Sequence, residues 1–429
     1  MKKKKALIVS YLLISIFFMN TKSATPQLKL GGWKPIGPNG GKIIKMAFGQ
    51  NSNEVYALVA GLPGRIFRTV DGGLNWVKVG NLNENLLDIA ISPMIPSTIF
   101  VLGEKSIFKS TNQGLKWTIC SLPKNSFGDK LGIHQTNPNT IYIAGTYLYN
   151  VKKNRSCLAI IESTNGGENW KIKSINPQAH LGIIYCISLS KADPNLVFVS
   201  GRYYDDSGRH NCIFKSNDSG NSWTNITGPI DRDVYSIAAH PSDASKAYIK
   251  DNYFSLYRTT DGGNTWEKIS SLYGFMLTID STNPAILFLG GSEVVYRSID
   301  GGVSWAQVSP NFLGGTTNTM LLSPNAPAEI PGSHQIYIGS DAGIFKTDYN
   351  VGQWIDCNAG IPAAQAMSVA VAQSSPITVF SALQSFGLFK SIDSGTNWTR
   401  MVDFAGCWFI DSVVVAPNDA NIIYILTYG

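Results

Sequence analysis

Past its first two dozen residues the chain is written in short apolar runs broken by polar turns, and no stretch there carries the 3.6-residue spacing of an amphipathic helix. The runs come in groups of four. One group reads IIKMAF, EVYAL, RIFRT and WVKVG; a later one reads FMLTI, AILFL, VVYRS and WAQVS. Between the first and second runs of most groups stands a Pro/Asn/Asp/Ser turn, as in QTNPNTIYIAG, KADPNLVFVSG and STNPAILFLGG. Third runs such as IFRT, IFKS and LYRT set an aromatic and a hydroxyl on one face, and an aliphatic and a long cation on the other. The cation's stem can then cover a neighbouring sheet, so Arg68, Lys109, Lys215, Arg258, Arg297, Lys346 and Lys390 are expected to be packing residues.

One stretch recurs eight times. Leu256 to Trp266, LYRTTDGGNTW, has counterparts ending at Trp76, Trp117, Trp170, Trp223, Trp305, Trp354 and Trp398. Its shared frame is Ser or Thr, Asp or Asn two later, Gly two after that and Trp three further on. Asp71, Asn112, Asn165, Asp218, Asp261, Asp300 and Asp393 hold the acidic or amide position, whereas the copy ending at Trp354 has Tyr349 there and Val351 in place of the Gly. Physically this is a strand, a tight turn and the start of a return strand. Asp or Asn accepts from its own backbone two residues on, Gly takes a positive φ cheaply, and the indole covers the turn. Successive tryptophans lie 41, 53, 53, 43, 39, 49 and 44 residues apart, with Trp33 another 43 before Trp76. A period of that size with four strands per unit predicts an all-β fold, a β-propeller of four-stranded antiparallel blades.

The frame Ser/Thr-x-Asp-x-Gly-x-x-Trp resembles the Asp box of the sialidase-type (BNR) repeat, shared by sialidases, sortilin-type receptors, xyloglucan-cleaving hydrolases and the photosystem II assembly factor family. The resemblance covers nearly all of the chain after residue 30. It implies that the box residues are turn chemistry on the propeller face away from the ligand. It does not select an activity.

Residues 2–5 are lysines, followed by an apolar run from Ala6 to Met19 and the polar stretch NTKSA, the layout of a secretory signal peptide over residues 1–23. The run is short for a membrane span. The formal net charge of +6 includes five lysines of this leader, so residues 24–429 are near +1 and carry no basic footprint for nucleic acid. At the far end, WFIDSVVVAP and IIYILTYG supply first and second strands of a further unit, and Trp33 reads as a fourth strand. Two arrangements fit: eight full units plus an incomplete ninth, or a seven-bladed ring followed by the start of a second, with a truncation at the C-terminal end.

Unit length points to a binding surface. The two 53-residue units carry their excess between strands two and three, in the loops Gly145–Ser156 and Ser200–Asn211. They bring Tyr147, Tyr149, Lys152, Lys153, Arg155, Arg202, Tyr203, Tyr204, Asp205, Asp206, Arg209 and His210, an aromatic and charged mixture that suits recognition, to the face opposite the boxes. The extra residues of the seventh unit, SPNAPAEIPGSHQ, fall on the box face.

Signals for catalysis are sparse. A sialidase needs three arginines converging on a carboxylate; outside the packing cations the sequence has Arg65, Arg155, Arg202, Arg209, Arg232 and Arg400. A xyloglucanase-like hydrolase needs two carboxylates across a cleft between two rings, for which Asp205, Asp206, Asp231 and Asp233 are the acids on the right face. The histidines, His134, His180, His210, His240 and His334, show no ligand spacing, and the run Asp205–Gly208 suits a polar loop tip as well as a calcium ion. Six cysteines are scattered, with Cys157 and Cys212 the pair placed for a disulfide. The sequence therefore reads as an exported, non-catalytic protein- or glycan-binding propeller with no cofactor, no metal, no nucleic-acid partner and no stable membrane insertion once the leader is removed. The alternative is a carbohydrate-active hydrolase whose second half is missing.

Overall fold

The computed structural model describes residues 40–428 apart from 178, 293, 310–315, 324–334, 349–352, 360, 362–365, 373–377, 384–386, 396, 402–408 and 417–418. The proposed leader, Trp33, Tyr349, Val351, Cys407 and nearly all of SPNAPAEIPGSHQ lie outside those residues. Among the described residues there are strands and no helix, and hence no helix long and apolar enough to cross a membrane.

Eight four-stranded antiparallel sheets and one two-stranded sheet follow one another, each made of consecutive strands in sequence order. Blade 1 runs from Ile43 to Leu82, blade 2 from Leu86 to Cys120, blade 3 from Ser126 to Asn176 and blade 4 from Leu181 to Asn225. Blade 5 spans Val234 to Ser271, blade 6 Met276 to Gln307, blade 7 Thr317 to Asp356 and blade 8 Ala366 to Arg400; Phe409–Ala416 and Asp419–Tyr428 form the last hairpin. The inner strand of each blade packs on that of the next from blade 1 to blade 7, and the inner strand of blade 7 packs back on that of blade 1. Of the two arrangements open to the sequence, the ring is thus the seven-bladed one, and blade 8 begins a separate stack against the last hairpin. Blades 1 and 7 each use their own four strands, so the ring closes without the far-end strands that Trp33 suggested.

Second strands are buried on both faces. All of Val55–Val59 and all of Ile99–Gly103 are inaccessible, because each lies mid-sheet between two neighbouring blades. That is why they read as unbroken apolar runs. The clusters mix adjacent blades: Tyr56, Leu58 and Ile66 of blade 1 pack on Ile89, Val101 and Phe108 of blade 2. Burying each such aliphatic or aromatic group contributes about 1.5–3 kcal/mol.

The repeated turn works differently in detail from the simple reading. In blade 1 the Thr69 hydroxyl donates to Asp71 Oδ1 (2.7 Å) and accepts from the Gly73 amide (3.0 Å), while Asp71 Oδ1 accepts from the Asn75 amide (2.9 Å). The carboxylate caps the amide four residues on rather than two. Gly73 sits at φ 88°, where a Cβ would be strained. The indole is more than a cover for its own turn. Trp76, Trp117, Trp266 and Trp354 donate Nε1–H to the carbonyls of Cys357, Val79, Ile226 and Val308, on the outer segment of the preceding blade. Trp354 makes this bond even though its turn departs from the frame. Trp305 and Trp398 instead donate to Gly302 and Gly395 of their own turns.

The packing cations reach forward. Lys109 Nζ donates to the Gly166 carbonyl (2.7 Å), Lys215 to Gly262 (2.9 Å) and Lys346 to Gly72 (2.6 Å), each in the repeated turn of the following blade. Indole and cation therefore lock neighbouring blades in both directions. Cys157 and Cys212 do not form the disulfide that their placement suggested: both are free, buried thiols, and Cys212 lies in the core between blades 3 and 4.

Candidate functional site

The inserts of blades 3 and 4 are strand, not loop. Ile141–Asn150 pairs with Arg155–Ser163, and Val197–Asp205 with Gly208–Ser216, so both hairpins extend the sheets and end in tight turns. Tyr147 is half-buried on the first hairpin; Tyr149, Lys152 and Lys153 stand exposed at its open end. Strand pleating then divides the second hairpin. Tyr203 and His210 are directly opposed and their rings stack at 4.9 Å and 23°. Arg202 and Arg209 instead turn towards the link entering blade 5, where Asp233 accepts from Arg209 at 2.8 Å and pairs with Arg202 at 3.6 Å.

Asp205 is consumed locally. Its Oδ1 accepts from the Ser207 amide (2.8 Å) and hydroxyl (2.6 Å) and lies 2.9 Å from His210 Nε2, and the Ser207 bond holds its carboxyl down to about 2. Ser207 Oγ also lies 2.9 Å from that same Nε2. A relay needs the two imidazole nitrogens to face different partners, so this trio is a capped turn and no nucleophilic triad. Asp206 is exposed and lies 3.3 Å from His180 Nδ1, while Arg155 Nη1 meets His180 Nε2 at 2.9 Å. His180 thus joins the tips of the two hairpins. Tyr204 contributes its carbonyl, which accepts from the His180 amide (2.7 Å). Among the described residues no three His, Cys, Asp or Glu side chains are placed to hold a metal ion.

A second set of residues stands on the inner strands, two of them beside Asp233. The inner strands of blades 3, 4 and 5 each carry one extra residue near the end that meets these hairpins: Asp129, Tyr185 and Tyr235. Such bulges re-aim side chains. Gly145 and Gly201 face two of them, and a Cβ on either would collide with the carbonyl oxygen of Phe127 or Ile183. Tyr185 and Tyr235 contact at 4.8 Å, Tyr185 donates to Asp233 Oδ2 (3.1 Å), and Arg202 lies over the Tyr185 ring. Burial, with Asp233 beside it, raises the Tyr185 phenol well above its usual range. Asp129 accepts from the Ile184 amide (2.9 Å), and burial pushes its carboxyl up to about 6.

From Arg232 an aromatic row continues into blades 5 and 6. The guanidinium lies 4.9 Å from the centroid of Tyr253, Tyr253 meets Phe254 at 4.9 Å, Phe254 meets Tyr273 at 5.7 Å, and Tyr273 meets Phe275 at 5.0 Å. Tyr253, Phe254 and Tyr273 remain 52%, 45% and 39% exposed. Beneath them Lys250 and Asp251 are wholly buried as an ion pair of 3.1 Å; Lys250 Nζ also donates to the Tyr253 carbonyl and Asp251 Oδ1 accepts from the Tyr253 and Ser255 amides.

No family model matches the chain. Over 321 residues, 65% of the chain, it is 27% identical to a xyloglucanase of a Paenibacillus species and covers 27% of that protein. Over 76 residues, 16% of the chain, it is 36% identical to the vacuolar protein sorting/targeting protein 10 of Verticillium alfalfae and covers 5% of it. Among solved structures, an ancestral GH74 enzyme matches 90% of the chain with a TM-score of 0.68 at 18% identity, the match taking in 58% of that enzyme. The structure of YCF48 bound to D1 peptide matches 75% of the chain and 98% of its own, with a TM-score of 0.52 at 17% identity. The chain thus has the β-propeller fold. It spans only about a quarter of the xyloglucanase, and the structural likeness is one of fold.

Within the propeller, sequence reasoning reached Arg155, Arg202, Arg209, Asp206 and His210 through unit length. It took Asp233 only as one of four acids open to a hydrolase and passed over Tyr185, Tyr235, Tyr253, Phe254, Tyr273 and Phe275. Their signal was composition at strand ends, in DNYFSL and SLYGFM, where the connections are of ordinary length. The remaining arginines of the sialidase test scatter: Arg65 donates to the Ala60 carbonyl in blade 1, and Arg202 and Arg209 are already taken by Asp233. The side chain of Arg400 lies outside the described residues.

Proposed function

We propose that this propeller is an exported binding module without catalysis of its own, taking a protein or glycan ligand on the face that carries the strand 2–3 hairpins. The observation that supports this reading is Asp233. It is buried and holds two partly exposed arginines at the edge of an open aromatic row, so the acid serves as a counterion that presents cations. Fixed arginines beside exposed Tyr and Phe are the residue types that dominate recognition surfaces. The leader, not the fold, supports export.

A hydrolase remains the second reading because one group favours it: a carboxyl near 6, that of Asp129, stands in the range suited to a general acid. The ancestral GH74 enzyme and the xyloglucanase add to that reading. The two are separated by offering the purified protein xyloglucan, other plant polysaccharides and peptide arrays while measuring retention and new reducing ends together. Retention without new ends, weakened in an R202A/R209A variant, is expected. Reducing ends that form with the wild type and vanish in Asp129→Asn refute the non-catalytic reading, and retention unchanged in the arginine variant refutes the placement of the ligand at Arg202 and Arg209.

A further inference from the structure

Resting on the binding reading above, we infer that the row Tyr253–Phe254–Tyr273–Phe275 docks an extended, proline-containing peptide segment with an acidic residue beside its prolines. The ring geometry carries this. A pyranose face stacks on a flat, open ring, and successive sugars need successive coplanar platforms. Here neighbouring rings stand at 85°, 51° and 75° to one another with centroids 4.9–5.7 Å apart, so they present notches between edges and faces, not platforms. Notches of that kind receive the compact ring of proline or an aliphatic side chain, and a polyproline II segment has little conformational entropy left to lose on docking. Two of the four rings are Phe, which offer nothing to a sugar hydroxyl.

The row is also preorganised. Lys250 and Asp251 are both 0% exposed, and their charges are spent on the backbone of the Asn252–Ser255 turn, which fixes Tyr253 and Phe254 before any partner arrives. A buried ion pair is a costly way to hold a turn that does nothing but face solvent. Charge gives the polarity of the partner. Arg202, Arg209 and Arg232 stand at the blade 5 end of the row against Asp231 and Asp233, which leaves one positive charge over. An acidic residue at one end of the peptide answers it.

The test is fluorescence anisotropy on the full-length protein with labelled synthetic proline-containing 12-mers that carry either Glu or Lys beside the prolines, and with labelled cello- and xylogluco-oligosaccharides in parallel. Binding of the Glu peptides is expected, about thirtyfold weaker in F254A/Y273A, the size of a hot-spot truncation. Arg232→Glu is expected to reverse the preference between Glu and Lys peptides. Leu115→Ser, on the opposite face and 76% exposed, should leave binding unchanged. Both aromatic positions are exposed, so their variants fold, and an unshifted melting temperature checks it. Peptide affinity that survives F254A/Y273A, no Glu/Lys preference, or oligosaccharides bound through the same rings would overturn the peptide assignment and leave the binding reading standing. If neither ligand class binds, or if an oligosaccharide is cleaved, the binding reading itself falls.

Discussion

Ring closure buries a shared core of blades 1 and 7, and Trp76 lies within it. Its side chain is 5% exposed and packs with Tyr337, Ile344, Cys357 and Ile361 of blade 7 and the segment after it. Nε1–H donates to the Cys357 carbonyl at 2.8 Å, and the Trp76 amide donates to the Ala359 carbonyl at 3.0 Å. Trp76→Phe keeps most of the packing but leaves that carbonyl buried without its donor, a cost of about 1–3 kcal/mol. Trp76→Ala also opens a cavity between the first and last blades, for about 3–5 kcal/mol. Trp305 supplies the control, because its indole donates to Gly302 of its own turn and closes nothing; Trp305→Phe should cost no more than about 1 kcal/mol. A second latch crosses the same seam, Lys346 Nζ to the Gly72 carbonyl at 2.6 Å, so Lys346→Met combined with Trp76→Phe should be non-additive. Urea midpoints from far-ultraviolet circular dichroism, with trypsin susceptibility measured in parallel, rank the variants. Equal shifts for Trp76→Phe and Trp305→Phe would refute the closure of blade 7 on blade 1.

Acid should loosen the turns before it unfolds the strands. Asp71, Asp218, Asp261 and Asp300 are held down to about 2, chiefly by hydrogen bonds from Asn75, Ser222, Thr265 and Ser304. Their folded values lie below the unfolded 3.8, so this stabilisation is complete above about pH 4 and fades as pH falls toward 2; Asp261→Asn should flatten the fall in melting temperature over that window, and an unchanged slope would count against the turn geometry. Asp129 behaves oppositely: with burial raising it to about 6, its charged form is penalised in the native state, and stability should rise as pH drops from about 6 toward 4. Carbon-13 NMR of the carboxyl checks this directly, and titration near 4 would contradict the burial. Cys157 and Cys212 are buried, and burial pushes the Cys212 thiol up to about 12, so both should resist alkylation until urea unfolds blades 3 and 4; a disulfide between them under non-reducing mass spectrometry would refute their assignment as free thiols.

What the sequence made legible follows from the range of the interactions involved. Hydrogen bonds inside the repeated turn join residues two to four apart, as Thr69, Asp71, Gly73 and Asn75 do, so a local pattern encodes them completely. The ring number is another matter. It depends on whether Trp76 finds Cys357, 281 residues away, and no periodicity states which copy is the last to fit. Length was a useful but incomplete guide to the site. It found the hairpins of blades 3 and 4 because they are long, yet an antiparallel extension spends its extra residues on pairing, and pleating sends Arg202 and Arg209 to one side and Tyr203 and His210 to the other. Asp129, Tyr185 and Tyr235 owe their placement to single-residue bulges, which leave almost no trace in unit length; a glycine stands opposite two of them, at Gly145 and Gly201, whereas Tyr235 lies opposite Asp251 and Lys250. The same bulge recurs in blades 1, 2 and 7, at Ile44, Leu87 and Asn318, so blades 4 and 5 are set apart by the side chains that fill it, Tyr185 and Tyr235, and by the Asp233 carboxylate that Tyr185 meets.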